Sequence, residues 1–142
     1  MDLHNNISAK RIVGPVAIGA NATVSGKVID RAGYGGVEFV LAYGAIATTG
    51  TVVTPVIKEG DATGSMTSVA DTYLVGTETL AARLGNAALT SGTTINVAKR
   101  IGYNGNKRYV TCDMVKSGTT SVGCMGVHAI LFNPAVAPVS NP

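Results

Sequence analysis

Val37-Glu38-Phe39-Val40-Leu41-Ala42-Tyr43 alternates strictly, with Val37, Phe39, Leu41 and Tyr43 on one side and Glu38, Val40 and Ala42 on the other. Successive side chains of a strand point to opposite faces, so the stretch reads as a β-strand whose first set faces a core. Its second set is only semi-polar, which suits contact with a partner or with a second layer.

Working outward, short runs of β-branched and apolar residues recur between Gly, Asn, Asp and Ser at intervals near the 8–12 residues (roughly) of a sandwich or barrel. Beside Val37–Ile46, they predict strands at Thr23–Ile29, Thr51–Lys58, Thr72–Val75, Thr77–Leu84, Thr93–Ile101, Arg108–Lys116 and Val122–Phe132. Helix competes with strand only over Glu78–Leu89, where Leu80, Leu84 and Ala88 recur with helical spacing behind Thr77 as an N-cap. Gly85-Asn86 interrupts that pattern, and a strand flanked by loops is the favoured reading. Turn residues mark loops at 32–36, 59–65, 90–92 and 116–120, the last expected to join its two strands as a hairpin.

Residues 1–16 end in Gly14-Pro15, a helix-breaking pair, and read as an N-terminal arm. Residues 17–134 form one β domain, and 135–142, with Pro138 and Pro142, form an extended C-terminal tail. The fold class is all-β: a single-domain antiparallel β-sandwich, jelly-roll-like, or a β-barrel, with extended arms at both ends. Strand count does not encode strand order, so sandwich and barrel both stand.

A chain of 142 residues can bury a full core without disulfides or metals. Only 13% of it is charged, against a usual share of about 25%. Such a chain packs tightly or covers its surface with partners. No uncharged apolar run approaches the roughly 20 residues that span a bilayer, so no membrane span is expected. The opening MDLHNNISAKRIVGP lacks the basic and apolar regions of a secretory signal, and assembly in a cytoplasm is the expectation. The formal charge of +3 is spread thinly, with local basic pairs such as Lys99-Arg100 and Lys107-Arg108 and no dense basic run, and there is no Trp. That pattern argues against a nucleic-acid partner.

Catalytic chemistry finds no foothold. The two histidines, His4 and His128, are too few for a His-rich metal site, and His128 reads as a structural histidine. Cys112 and Cys124 read as small buried residues; whether they pair stays open, since the expected hairpin could set them face to face. Glu59-Gly60-Asp61-Ala62-Thr63-Gly64 has half of a calcium loop's oxygens and no terminal Glu, which makes it a polar turn. The glycines at 33–36 and 102–105 lead into strands rather than helices, so they are turns and not phosphate cradles. No nucleophile has a plausible base. The sequence is therefore read as a non-enzyme without cofactor, metal or catalytic residues.

Three stretches carry a family resemblance: Tyr34-Gly35-Gly36-Val37-Glu38-Phe39-Val40 with Tyr43-Gly44-Ala45-Ile46, then Lys107-Arg108-Tyr109-Val110-Thr111, then Ala129-Ile130-Leu131-Phe132-Asn133-Pro134. Together, over about residues 28–134, they resemble small tailed-phage and prophage head decoration (cement) proteins, encoded beside the major capsid protein. The resemblance implies a structural virion protein that binds the outside of an expanded capsid and clamps neighbouring subunits, often as a trimer. It implies a major capsid protein as partner and a place on the virion surface. On this reading the arm residues Leu3, Ile7, Arg11, Ile12 and Val13 are capsid contacts, and Lys107 and Arg108 pair with an acidic patch on the shell or guard a sheet edge. The alternatives are another virion component, such as a head-completion, tail or fibre-associated β protein, and a carbohydrate-binding module or small enzyme. The last would need a concave polar site.

Overall fold

The alternating stretch becomes the middle strand of a sheet. The computed structural model describes residues 2–19, 21–46, 50–84, 97–118 and 123–139, and in it β4 spans Tyr34–Tyr43. Before it come β1 (Ile7–Ile18), β2 (Thr23–Val24) and β3 (Ile29–Asp30). After it come β5 (Val52–Ala62), β6 (Ser65–Ser68), β7 (Leu74–Val75), the one-turn helix α1 (Glu78–Ala81), β8 (Arg83–Leu84), β9 (Val97–Tyr103), β10 (Tyr109–Ser117) and β11 (Gly123–Pro134).

One sheet runs β1-β11-β4-β9-β7 and the other β2-β10-β5-β6, with β3 also on β10 and β8 also on β5. All of these pairings are antiparallel. β2 and β3 meet the two ends of β10 and act as one interrupted strand. Counted so, the chain changes sheet at nearly every connection and its first and last strands lie side by side, the double Greek key of a jelly roll. The sheets stay open, which removes the barrel alternative.

The core lies between the sheets. Val37, Phe39 and Leu41 are wholly buried and Tyr43 nearly so, as their alternation predicts. Met125, Val127, Ala129 and Leu131 of β11 flank them, and Val53, Ile57, Cys112 and Met114 face them from the other sheet. Along one side the ladder between β10 and the β2–β3 strand lapses, and side chains replace it. Asp113 accepts from the Gly26 amide at 2.9 Å and pairs with Lys58 at 2.7 Å, while the Thr111 hydroxyl donates to the Lys27 carbonyl at 3.1 Å. Lys27 N–H donates to the Ile12 carbonyl of β1 at 3.0 Å, which ties the two sheets together at this side.

Four expectations are corrected. Residues 7–16 are not an arm: they belong to β1, paired with β11 from Ile7↔Phe132 onward. Gly14-Pro15 does not break the strand because it sits where the register shifts, and an edge strand tolerates a missing N–H. The 116–120 turn does not make a hairpin, since β10 and β11 lie in opposite sheets. The loop expected at 59–65 is mostly strand, because β5 continues to Ala62 before the turn into β6.

The fourth correction is within 77–84, where a one-turn helix over Glu78–Ala81 replaces most of the favoured strand and only Arg83–Leu84 stays extended. Thr77 Oγ1 caps it by accepting from Leu80 N–H at 3.1 Å. Glu78 accepts from Ile57 N–H at 2.6 Å, a β5 donor left between β8 and β6. Lys99 donates to the Leu80 and Ala82 carbonyls at 2.8 and 2.6 Å, and Tyr43 to the Ala81 carbonyl at 2.7 Å. A helix this short stands on such partners at both ends rather than on propensity. Ala88, Leu89, the 90–92 turn and residues 119–122 lie outside the described residues.

Candidate docking face

The outward side of the β1-β11-β4-β9-β7 sheet is set by the same period of two that builds the core. Register aligns its side chains in rows: Ile7, Phe132 and Gly36; then Ala9, Ile130, Glu38, Gly102 and Val75; then Arg11, His128, Val40 and Arg100; then Gly126, Ala42 and Ala98. Ala9, Arg11, Ala42, Val75, Ala98, Arg100, His128 and Phe132 are exposed, and Ile7, Glu38, Val40 and Ile130 are half-buried. Gly36, Gly102, Gly126, Ala9, Ala42 and Ala98 leave much of the face without long side chains, and a depression of about 260 Å³ opens at its fourth row beside Ala42, Gly126 and His128.

Its third row sets two guanidinium groups and an imidazole across four strands, Arg11 and Arg100 being about 14 Å apart at the backbone by strand spacing. Glu38 is the carboxylate beside them, with Arg100 Nε 3.8 Å from its Oε1. Gly102 makes room for it: a Cβ there would lie 2.8 Å from Glu38 Oε2 and 3.1 Å from Val75 Cβ. Burial raises the Glu38 pKa, and Arg100 offsets this only in part. A carboxyl with a raised folded-state pKa costs stability once ionised, so this contribution is favourable below the ordinary carboxylate value and is lost as pH rises through the folded one. Glu38→Gln is expected to unfold at higher urea than the parent at pH 7, with the gap narrowing as pH falls toward about 4.

The expected contact residues do not gather in one place. Leu3 is 69% exposed and, with Ile7, Phe132 and Pro134, lines a groove of about 350 Å³. Arg11 stands on the outward face opposite His128. Ile12 and Val13 are core residues, 5% and 4% exposed, and are withdrawn as contacts: the bulges of β1 turn both inward. Lys107 and Arg108 lie between β9 and the start of β10, and each is engaged within the chain. Lys107 Nζ meets Asp61 at 2.5 Å, while Arg108 grips Asp30 through Nη2 at 2.6 Å and Nε at 3.0 Å. The Arg108 hydrogen bonds hold the Asp30 carboxyl below its usual range.

Close to Lys107, Glu59, Asp61, Ser65 and Thr67 line a polar depression of about 390 Å³. The Tyr103 hydroxyl donates to Glu59 and accepts from Lys107 N–H at 3.1 Å. Burial first, and the Glu59 bond second, push its pKa up to about 12. Both cysteines are free: Cys112 is buried, where burial pushes its thiol up, and Cys124 is exposed on the other sheet. Their expected face-to-face placement fails with the hairpin. His128 is a face residue rather than a structural one, and the signal for it was available in the alternation Cys124, Gly126, His128, Ile130, Phe132.

Among the described residues no group of His, Cys, Asp or Glu is arranged to hold a metal ion, and no helix is long and apolar enough to cross a membrane. No family model matches the chain, and no curated protein matches it in sequence. Among solved structures it is similar to VP2 in the subviral particle of infectious bursal disease virus, with 11% identity and a TM-score of 0.42 over 92% of this chain. The chain spans only 31% of that protein's length.

Proposed function

We propose that the chain is a non-enzymatic structural protein of a phage virion. It binds the outside of the expanded capsid, with the major capsid protein as partner, and holds neighbouring subunits together as a decoration or cement protein. It is made in the host cytoplasm and resides on the virion surface, as a trimer like many proteins of that functional class. The observation that carries the reading is the outward face of the β1-β11-β4-β9 strands. A shell offers a broad surface and not a small ligand, and a four-strand face with many Gly and Ala positions lets another protein surface approach over a wide area. Arg11 and Arg100, set wide apart, orient that contact on an acidic patch.

Density-gradient sedimentation with expanded, protein-only shells tests this. The expected result is saturable co-migration at a stoichiometry set by the lattice. Reversing both charges, Arg11→Glu with Arg100→Glu, weakens binding by at least about tenfold at low salt and by less at high salt. Absence of co-migration rejects the reading, and co-migration with tails would favour a tail component instead. Deleting residues 1–13 is not a usable test of an arm, because it removes half of β1 along with Ile12 and Val13 of the core.

The polar depression at Glu59, Asp61, Ser65 and Thr67 favours a second reading, a carbohydrate-binding module. Glycan titration that shifts the NMR signals of those residues, without shell binding, would select it.

A further inference from the structure

Asn104 is the asparagine of this chain that precedes a glycine. It lies just past the end of β9, exposed and outside helix and strand. Its N–H donates to the Tyr73 carbonyl at 2.8 Å, but among the described residues neither its carboxamide nor the Gly105 N–H has a hydrogen-bond partner. The carboxamide carbon and the next backbone nitrogen are thus both unengaged, and no side chain at 105 hinders their approach. The other described asparagines differ. Asn6 N–H, which follows Asn5, donates to the Leu3 carbonyl at 3.1 Å, and Lys107 N–H, which follows Asn106, donates to the Tyr103 hydroxyl at 3.1 Å. Asn6 precedes the β-branched Ile7, Asn21 Oδ1 accepts from Gly118 N–H at 3.1 Å, and Asn133 precedes a proline, which has no N–H.

The fold itself demands glycine at 105. The Tyr103 hydroxyl occupies the place where a Cβ of residue 105 would stand. Tyr103 is buried, and its hydroxyl is fixed between Glu59 and the Lys107 N–H, so it does not move aside. A side chain at 105 therefore cannot shield Asn104 without breaking that arrangement.

We infer that Asn104 is a site of spontaneous deamidation, with water as the co-reactant, and that the product releases the loop at 104–107. The Gly105 nitrogen attacks Asn104 Cγ; the N–Cγ bond forms, the Cγ–Nδ2 bond breaks, and ammonia leaves with the Gly105 amide proton. Water then opens the cyclic imide at Cγ, giving Asp, or at the backbone carbonyl carbon of residue 104, giving isoaspartate, in which the chain runs on through Cγ. Isoaspartate lengthens the backbone between two held points, the residue 104 N–H on the Tyr73 carbonyl and the Gly105 carbonyl, which accepts from Arg31 Nη2 at 2.7 Å. Both anchors cannot be kept, and the loop that carries Lys107 to the polar depression comes loose. This stands apart from the shell-binding reading, which uses the face.

Peptide mapping of the folded chain, aged in mildly alkaline buffer made with heavy-oxygen water, tests it. Trypsin cuts after Arg100 and Lys107, so residues 101–107 form one peptide that carries both Asn104 and Asn106, and fragmentation tells the two apart. The expected result is exchange of amide for acid at Asn104 with uptake of heavy oxygen, isoaspartate alongside Asp, and Asn106 unchanged, at a rate that rises in proportion to hydroxide. The aged chain is expected to unfold at lower urea than the fresh one. Asn104→Gln, whose longer side chain closes such a ring far more slowly, keeps its mass at that position and its midpoint through the same ageing. Asn104 left intact while another described asparagine converts, conversion at Asn104 only once the chain is unfolded, or an aged chain with the fresh midpoint would overturn the inference.

Discussion

Phe39→Ala lowers the free energy of unfolding by about 3–5 kcal/mol, a fall in Tm of roughly 10 °C for a chain of this length. Phe39 has no solvent exposure and sits mid-strand in β4, with Ala129 of β11 and Ile101 of β9 as its lateral neighbours. Ala129 is too short to swing into the space a lost ring leaves, and β4 is hydrogen-bonded on both sides and cannot sag. The cavity therefore persists, and the cost includes its walls' lost contacts as well as the transfer term. Urea unfolding at an unchanged m-value measures it. Val40→Ala, one residue along and on the outward face, is the control, expected to cost less than about 1 kcal/mol.

Gly26→Ala is expected to cost about 2–4 kcal/mol, at or above the usual range for overpacking. A Cβ at Gly26 would lie 2.1 Å from the Cys112 carbonyl oxygen, 2.6 Å from Ile12 Cγ2 and 2.8 Å from Thr111 Oγ1. The first of these belongs to the backbone of β10, which is held by β5 along its whole length. Retreat in the other direction stretches the Gly26 N–H bond to Asp113 and the Lys27 N–H bond to Ile12. Gly64→Ala, where a Cβ meets nothing within 4 Å, serves as the comparison and should change stability by no more than about 0.5 kcal/mol.

The core face of β4 was legible because burial on one side and partner-ready semi-polarity on the other both follow from a period of two. β10 and β11 were legible for the same reason. β1 was not, because Gly14-Pro15 is a stop signal in a central strand but an ordinary bulge at an edge. α1 was missed in favour of a strand, since its stability comes from Glu78, Lys99 and Tyr43 reaching partners far along the chain. The hairpin expectation failed for a topological reason: turn chemistry at 116–118 says that the chain reverses, not that it stays in one sheet. Of the expected contacts, Arg11 joins a coherent surface only because Arg100 and His128 are brought beside it by pairings that no local pattern encodes.

The place of β11 bears on how the chain is made. β1 finds its strand partner in β11, whose residues emerge from a ribosome roughly a hundred positions later, a wait on the order of 5–20 s at ordinary elongation rates. Through that interval a twelve-residue strand with two open edges stays unmatched, while the hairpin of β5 and β6 can already close. With few charges to keep nascent chains apart, the yield of folded protein should depend on elongation speed and temperature more steeply than the stability of the finished sandwich does.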